Sequence, residues 1–332
     1  MKEHKSSKIT IVTDFKVAKS LAEIFLNLNL EPIKEAPGDI YYPVNKGSRS
    51  RLLEAVGEKR YNYYLQIPGL EYIYKKEWLW VSMVKNFGRT NALAFLPPTY
   101  LLDYAPDRER LKKLVANNSA IKLIGKGNLQ KRKSIAEVVG NQWETLDNKL
   151  QTVVQEIVPC AKTINNEVFN IRLYIIVRYA NQKIDVFLAP NGKLIYSANT
   201  DDLITDNAVE PKAEHPHFMD EYFDQNRGIS ASDFWEKMTV ISALIFDSII
   251  ERIAKYKFNN ERLVSFMGVD VMLDRNEQIK VLELNLRPQM DASNEKDATF
   301  KQSVVSDAIL HFLLNRKKTI LNWIEVESWD AV

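Results

Sequence analysis

The sequence predicts a mixed α/β (α+β) protein with a small α/β N-terminal domain, a central domain and a C-terminal domain built on an antiparallel sheet. At the N-terminus, an apolar run at 8–12 precedes apolar residues at helical spacing over 16–30, which indicates a strand and then a helix. Amphipathic helices are predicted at 230–256 and 300–314. Three strand patterns joined by short turns predict an antiparallel meander, at 169–179, 184–188 and 193–197.

The segments between these landmarks are predicted from the same periodicities and from turn-forming residues. Proline and glycine make 31–51 loop-rich, and aromatic and apolar residues over 61–79 continue the N-terminal domain. Pro106 opens a predicted helix, and Ser230 or Ser232 caps the long helix near 230–256. The central strands are predicted at 120–125 and 152–158, with a partly helical stretch at 138–150. The predicted domains are residues 1–90, 91–156 and 157–332.

The composition is that of an ordinary globular protein and excludes several function classes. With 332 residues, 45% of them hydrophobic and 27% charged, the chain can bury a sizeable core. Its 45 basic and 43 acidic residues leave a net charge of +2, which argues against a nucleic-acid partner. No apolar run approaches the roughly 18 residues of a membrane span, so no membrane partner is expected. The single cysteine, Cys160, excludes an intramolecular disulfide and favours a cytoplasmic protein, in the host cytoplasm if it comes from a pathogen.

The most informative segment is 266–288, which predicts a β-hairpin with polar residues on one face. Two runs rich in Val, Ile and Leu flank a polar turn, and a turn centred in this stretch places Asp270 opposite Glu283. Residues two apart on a strand share a face, so Asn285 and Arg287 point the same way as Glu283. The other face is predicted to be a dry packing surface of Val269, Val271 and Leu273 against Leu282, Leu284 and Leu286.

The opposed pair Asp270 and Glu283 predicts a metal site. Two carboxylates directly opposite one another repel, and unpaired charges among apolar strand residues are costly to bury. A divalent cation between them removes both costs. With the amide oxygen of Asn285 they form an all-oxygen ligand set, which suits Mg²⁺ that also keeps water and phosphate oxygens. The alternative is a surface hairpin whose polar face is solvated.

Two central strands have residues suited to binding a nucleotide. The alternation over 121–126 places Lys122 and Lys126 on one face, ahead of a polar, basic loop at 127–133. Lysines that project from a strand into a cleft can neutralise phosphate charge, although a solvated surface is the alternative for each of them. An apolar strand can also present backbone groups to an adenine edge, here at Gln155, Glu156, Ile157 and Val158. Alternation along an edge strand explains that last pattern equally well.

Arg172 lies within a further apolar strand, over residues 169–177. A guanidinium in such a strand needs an anionic partner, which is either a transferred phosphate or a structural carboxylate. The first interpretation makes Arg172 a catalytic residue, and the second makes it a structural one.

In this order, the features resemble the ATP-grasp superfamily and, within it, the tubulin–tyrosine ligase-like family. The resemblance covers about 96–312 and rests on a lysine strand with a Gln-Lys-Arg loop, a Val-Gln-Glu strand, Asn-Ile-Arg, and Gly-Val-Asp with Leu-Glu-Leu-Asn. It implies an ATP-grasp fold that binds ATP and Mg²⁺ between its central and C-terminal domains. It also implies an ATP-dependent ligase that activates a carboxylate as an acyl phosphate, which an amine then attacks to give an amide.

The resemblance also implies roles for individual residues. The magnesium ligands of the family correspond to Asp270, Glu283 and Asn285. Its nucleotide-binding positions correspond to Lys122, Lys126, Gln155, Glu156, Ile157, Val158 and Asn170. Its catalytic arginine corresponds to Arg172, and an Asn-x-Arg ending that meets the phosphoryl group or substrate in several other ATP-grasp branches corresponds to Arg287.

The sequence departs from the family pattern at three places. Val168 and Asn170 stand where the family has a lysine and an aspartate near the ribose. Ile195 stands where a basic residue is expected on the following hairpin, and Lys193 is the nearest substitute. Residues 127–134 replace the glycine-rich phosphate flap of many ATP-grasp enzymes.

The expected partners are ATP, an acceptor carboxylate and an amine donor such as an amino acid. The acceptor is either a protein or peptide tail or a small molecule, and the segment 199–227 is expected to help recognise it. Two other functions stay open from the sequence. One is an ATP-grasp small-molecule ligase or a kinase, and the other is a nucleotide-binding regulator without catalysis.

Overall fold

The structure is a computed structural model that describes residues 9–13, 16–34, 38–43, 48–127, 135–146, 150–160, 167–197, 215–225, 228–256, 258 and 262–331. The predicted basic loop, apart from Gly127, and most of the segment 199–227 lie outside these residues. Within the described ranges, no helix combines the length and the apolar character that crossing a membrane requires.

The N-terminal part of the chain forms four short parallel strands with helices around them. The predicted strand and helix at its start are both present, and Leu21, Ile24 and Phe25 are the buried face of that helix. The elements in chain order are β1 (Ile9–Thr13), α1 (Lys19–Asn27), β2 (Leu30–Ile33), β3 (Ile40–Tyr42), α2 (Ser48–Gly57), β4 (Tyr63–Tyr64), α3 (Glu71–Tyr74), α4 (Lys76–Phe87) and α5 (Arg89–Phe95).

The central part forms a separate antiparallel sheet that packs against one long helix. Its elements are β5 (Thr99–Leu101), α6 (Ala105–Asn117), β6 (Lys122–Lys126), β7 (Ile135–Val139), a 3₁₀ helix (Gly140–Thr145) and β8 (Val153–Glu156). The strand order is β5-β8-β6-β7. Pro106 lies in the first turn of α6, as predicted, where a missing N–H removes no helical hydrogen bond. Leu111 and Val115 of this helix pack on Leu123 and Val154 of the sheet.

The C-terminal part supplies the long antiparallel strands. Ser230 Oγ accepts a hydrogen bond of 3.1 Å from the backbone N–H of Asp233, which confirms a predicted serine cap. The predicted apolar stripe is buried, at Phe234, Met238, Ile241, Ile245 and Ile249. The elements are β9 (Phe169–Ala180), β10 (Lys183–Leu188), β11 (Lys193–Tyr196), α7 (Met219–Gln225), α8 (Ala231–Asp247), α9 (Ile250–Ala254), β12 (Arg262–Leu273), β13 (Ile279–Asn285), α10 (Glu295–Ser306), a π-helix (Asp307–Leu313) and β14 (Ile324–Asp330).

The N-terminal and C-terminal strands that the structure describes join in one mixed sheet. Its order is β14-β10-β9-β12-β4-β3-β1-β2, with β11 on β9 and β13 on β12. Strand β4 pairs in parallel with β12, and this contact links the parallel half of the sheet to the antiparallel half. The predicted mixed α/β class with an antiparallel C-terminal sheet is confirmed. The domain bounds at residues 90 and 156 stay predictions.

The predicted meander of three strands is wrong. Strands β10 and β11 both pair with β9, along the edge opposite β12 and in the same direction. Residues 189–192 therefore interrupt one long partner strand and do not reverse it. A Cβ at Gly192 would lie 2.4 Å from Leu173 Cδ2 and 3.0 Å from Ile171 Cγ2, so a larger residue here would require buried side chains to shift. The Pro-Asn-Gly motif signals a turn locally, but the pairing with β9 turns it into an irregularity within a strand.

Helices cover most of both faces of the large sheet. One face packs on α8 and on α3–α5, and the other packs on α1, α10 and the π-helix. Near Arg172 and Asp270, the second face meets the small sheet across a cleft. Most of the predicted functional residues lie at this opening.

Candidate functional site

The cleft between the two sheets has a volume of about 230 Å³ and combines apolar walls with a charged end. The small sheet contributes Ile124 and Ile135 to the walls, and the large sheet contributes Met272 and Leu282. The polar and charged residues that line it are Lys76, Lys126, Glu137, Gln155, Glu156, Asn170, Arg172, Asp270 and Glu283. Such a cleft suits a ligand with one flat apolar part and one charged part.

A row of four charged residues crosses the large sheet beside this cleft. The strand register pairs Glu283 with Asp270, Asp270 with Arg172, and Arg172 with Lys193. Directly opposed residues of antiparallel strands point to the same face, so all four side chains share one face. The predicted pairing of Asp270 with Glu283 is confirmed. The row has two carboxylates at one end and two cations at the other.

Arg172 and Asp270 form a buried ion pair at the middle of the row. Arg172 Nε donates to Asp270 Oδ1, and Arg172 Nη2 donates to Oδ2 at 2.8 Å. Although burial acts in the opposite direction, the Asp270 carboxylate holds the pKa of Arg172 above its ordinary value. Burial raises the pKa of Asp270, and the contacts from Arg172 oppose that shift. The predicted structural partner of Arg172 is therefore Asp270.

Gly268 leaves the space in which the Arg172 side chain reaches Asp270. A Cβ at Gly268 would lie 3.1 Å from Arg172 Cδ and 3.0 Å from Pro288 Cβ, so any larger residue would press on both. Steric crowding thus explains why the first residue of the Gly-Val-Asp motif, Gly268, is a glycine.

Glu283 is held by a cation that sequence reasoning missed. Lys76, at the start of α4, places its Nζ 3.1 Å from Glu283 Oε2 and also donates to the carbonyl of Gly127. Although burial opposes ionisation, Lys76 and Lys126 lower the pKa of Glu283 to about 2. No signal in the sequence marks Lys76, because it lies in an ordinary charged helix start and reaches the site only through the fold.

The prediction of a dry packing face on the hairpin is wrong at one residue, Leu282. Val271 pairs with Val281 and not with Leu282, because an extra residue on β13 shifts the register after Asp270. This bulge turns Leu282 towards the cleft, where it packs near Met272. Leu282 and Glu283 therefore both face the site, one as an apolar wall and the other as a charge.

Lys126 is positioned by a chain of hydrogen bonds in the small sheet. Thr99 Oγ1 donates to the Pro97 carbonyl, so it can only accept from Gln155 Nε2, at 2.9 Å. This orientation points Gln155 Oε1 at Lys126 Nζ, 2.6 Å away. Burial lowers the pKa of Lys126 to about 8. Gln155, predicted as part of an adenine hinge, thus holds the lysine through its side chain.

The remaining residues of the predicted hinge line the cleft. The backbone N–H groups of Glu156 and Ile157 donate to the Pro98 and Lys122 carbonyls, at 2.9 and 3.3 Å. Tyr100 donates to Glu156 Oε1 at 2.6 Å and holds that side chain against the small sheet. Ile157 and Val158 also line the cleft.

The structure does not bring all predicted residues to the cleft. Asn170 lines it, but Lys122 is exposed and is not among the lining residues. Arg287 also does not line the cleft, and its Nη2 donates to Gln66 Oε1 at 3.2 Å. Lys193, the substitute for a basic residue at Ile195, binds Asp297 at 2.7 Å on the far side of Arg172. The functional roles of Lys122 and Arg287 stay predictions.

The donor set at the acidic end of the row fits a hard cation. Asn285 Nδ2 lies 3.1 Å from Glu283 Oε1 and 3.5 Å from Asp270 Oδ2, so the three predicted ligands converge. A half-turn of the carboxamide presents its oxygen instead of its nitrogen. Among the described residues, no three His, Cys, Asp or Glu side chains gather to hold a metal ion. Two carboxylates and one amide would fill only part of the coordination shell of Mg²⁺, and water or phosphate oxygens would supply the other ligands.

Comparison with known proteins bears on the C-terminal part of the chain. Residues 196–320 match the family model for the tubulin-tyrosine ligase family. The chain resembles this family, as its sequence motifs predict. No curated protein gives a match. The large mixed sheet and the separate antiparallel sheet are consistent with the ATP-grasp-like fold of tubulin-tyrosine ligases, and the match supports a ligase of this general kind.

The segment that matches the tubulin-tyrosine ligase family includes only part of the site. It contains Asp270, Glu283 and Asn285, whereas Lys126 and Arg172 precede it in the chain. The fold nevertheless places those two cations in the same cleft as the hairpin. The geometry of the cleft thus joins residues outside the matched segment to residues within it.

Proposed function

We propose that the chain is an ATP- and Mg²⁺-dependent carboxylate–amine ligase that adds an amino acid to a protein or peptide through an acyl phosphate. The observation behind this proposal is the convergence of Lys76, Lys126 and Arg172 with Asp270 and Glu283 in one cleft with apolar walls. Phosphoryl transfer needs positioning and charge neutralisation more than covalent participation by the protein. Three cations beside two carboxylates supply both.

The nucleotide would lie with its base between the apolar walls and its phosphates at the charged end. Lys126 is aimed into the cleft by Gln155, and its low pKa reflects a desolvated ammonium group that gains from an anionic partner. Lys76 lies near it, held by its contacts with Glu283 and the Gly127 carbonyl. The two lysines together would neutralise the inner phosphates.

Asp270, Glu283 and Asn285 would hold the Mg²⁺, which supplies neutralisation of the phosphate oxygens when bound. Each carboxylate oxygen has two lone pairs, so Asp270 can ligate a metal while it keeps its hydrogen bonds from Arg172. The guanidinium of Arg172 has five donors, and two of them are directed at Asp270. The others can stabilise charge on the transferred phosphoryl group and then on the acyl phosphate.

Glu283→Gln tests the proposal, because it removes one charge from the metal site and keeps the side-chain shape. The wild-type chain is incubated with ATP, Mg²⁺, peptides with acidic tails and a mixture of amino acids, and ADP release and peptide mass are measured. Glu283→Gln is expected to reduce turnover by at least about a hundredfold. Glu144→Gln, at an exposed carboxylate of the 3₁₀ helix that does not line the cleft, is the control and should keep its activity.

The outcomes of this assay separate the competing functions. A peptide mass gain of one amino-acid residue supports protein ligation, and a product formed only with small acceptors points to a small-molecule ligase. Phosphate incorporation points to a kinase. ATP binding without turnover across the panel points to a nucleotide-binding regulator. Full activity of Glu283→Gln would contradict the proposed metal site.

A further inference from the structure

A second, smaller cavity lies behind Arg172, on the side away from the metal ligands. It is separate from the nucleotide cleft, and Arg172 lines both spaces. The residues around it are Arg172, Tyr174, Lys193, Gln289, Asp291 and Lys301. Its chemistry differs from that of the cleft because lysine ammonium groups and a phenol hydroxyl face it.

The cavity wall contains an excess of buried positive charge. Lys193 and Lys301 both bind the same oxygen of Asp297, Oδ2, at 2.7 and 3.0 Å, and their side chains are only 9% and 5% exposed. Asp297 is 1% exposed, and the hydrogen bond from Lys193 helps to hold its pKa below the ordinary value against the effect of burial. One buried carboxylate thus faces two buried ammonium groups. The carboxylate of Asp291, which the charge of Lys301 stabilises, lies exposed at the rim, so a second anion inside the cavity would complete the balance of the buried charge.

Tyr174 gives an independent indication that a ligand binds here. Its side chain is fully buried, and its hydroxyl has no hydrogen-bond partner among the described residues. Burial raises the pKa of this phenol, so the group stays protonated and remains a donor. A buried tyrosine hydroxyl normally finds a partner. An anion in the cavity would accept its hydrogen bond.

The size of the cavity limits what can enter. Its volume of about 10 Å³ suits a group of the size of one water molecule or one carboxylate oxygen. Gln289 and Asp291 are exposed and form its rim, so the rest of a ligand would lie outside. A small carboxylate fits this description, whereas a whole nucleotide phosphate does not.

We infer that this cavity binds the α-carboxylate of a free amino acid, through Lys193, Lys301 and the hydroxyl of Tyr174. This inference rests on the proposed ligase function for the choice of ligand. A carboxylate that reacts with ATP must lie on the metal side of Arg172, next to the transferred phosphoryl group. A carboxylate held behind Arg172 among lysines is therefore a non-reacting one, and the amine donor has such a group beside its nucleophile.

Direct binding to the full chain without ATP tests the inference apart from catalysis. Saturation-transfer NMR measures the affinities of individual L-amino acids and of their α-amides, which lack the carboxylate. At least one amino acid is expected to bind, with its amide weaker by about tenfold or more, the range of one charge-assisted hydrogen bond. Lys301→Met and Tyr174→Phe should weaken binding, the former by about tenfold or more. Lys296→Met, an exposed lysine on the same helix, should leave it unchanged.

ATP affinity and thermal unfolding of each variant separate this inference from the proposed function. Lys301→Met should bind ATP as the wild type does and leaves Asp297 paired with Lys193, so its thermal unfolding measures what the lost contacts with Asp297 and the Asp291 carbonyl contribute to stability. Absence of ATP binding by the wild type would contradict the proposed function, while amino-acid binding is still measured. The inference is overturned if no amino acid binds, if the α-amides bind equally well, or if both variants keep wild-type affinity. It is also overturned if the variants raise the KM of the peptide acceptor alone.

Discussion

Replacing Arg172 with methionine separates the structural role of the charged row from its chemical role. The side chains of Arg172 and Asp270 are only 8% and 13% exposed, so the substitution leaves a carboxylate buried without its main partner. Removal of one member of a buried ion pair costs about 3–5 kcal/mol. We therefore expect Arg172→Met to lower the free energy of unfolding by that amount, a large part of the roughly 5–15 kcal/mol that stabilises a typical domain.

Urea unfolding followed by circular dichroism measures this loss, and two further variants serve as controls. Arg60→Met breaks ion pairs with Glu54 and Glu58 in which Arg60 is 47% exposed and the two carboxylates are 55% and 52% exposed, so its loss should be far smaller. The double variant Arg172→Met/Asp270→Asn should regain more than about 1 kcal/mol over Arg172→Met, because no unpaired charge remains buried. If Arg172→Met is no less stable than Arg60→Met, the argument from burial is refuted.

Magnesium added to the same measurement tests the metal site without any turnover. A cation that binds only the folded chain stabilises it by about 1.4 kcal/mol at ten times its Kd. In Arg172→Met, a bound Mg²⁺ would also neutralise part of the Asp270 charge that Arg172 neutralises in the wild type. Its unfolding midpoint should therefore rise with Mg²⁺, and that of Arg172→Met/Asp270→Asn should rise less. An unchanged midpoint in Arg172→Met would refute the assignment of Asp270 as a metal ligand.

Two further predictions concern Lys126, the proposed phosphate-binding lysine, and Gly268, the glycine beside Arg172. Because burial lowers the pKa of Lys126 to about 8, its charge is lost as the pH rises through that value. ATP affinity should therefore fall between about pH 7 and pH 9, while Lys126→Arg, which stays charged, should show a flat profile; equal profiles would contradict the role of Lys126. Gly268→Ala should lower the free energy of unfolding by about 1–3 kcal/mol, because the new methyl group presses on Arg172. Gly57→Ala, where nothing lies within 4 Å of the added Cβ, is its control, and equal stability of both variants would remove the steric argument.

The hairpin shows how far periodicity alone can predict the site. Alternation of apolar and polar residues places Asp270 opposite Glu283 correctly, because a one-residue error would turn both apolar faces to water. The same pattern fails after Asp270. Leu282 is apolar on either face, so nothing in the sequence distinguishes a regular strand from one with an extra residue. The position of Leu282 is set by its packing against Met272 in the fold.

Contacts between distant segments account for the other parts that sequence reasoning missed. Lys76 reaches Glu283, and Thr99 orients Gln155, through pairings that no local pattern records. The predicted meander failed for the same reason, since the strand after residue 192 returns to β9. Long strands, helix caps and opposed charges are encoded locally and could be predicted. The partners of individual side chains depend on tertiary pairing and could not.

The row of charges also explains how the chain can bury so many ionised groups without a bound ligand. Asp270 and Arg172 neutralise each other at its centre, Lys76 compensates Glu283 at the acidic end, and Asp297 compensates Lys193 at the basic end. Each end therefore has a protein partner that can share its charge with a ligand of the opposite sign. Neighbouring strands lie about 4.8 Å apart, so the ends of the row are separated by about 14 Å. The proposed metal at one end and the proposed carboxylate at the other would then bind at the same time, with Arg172 lining both spaces between them.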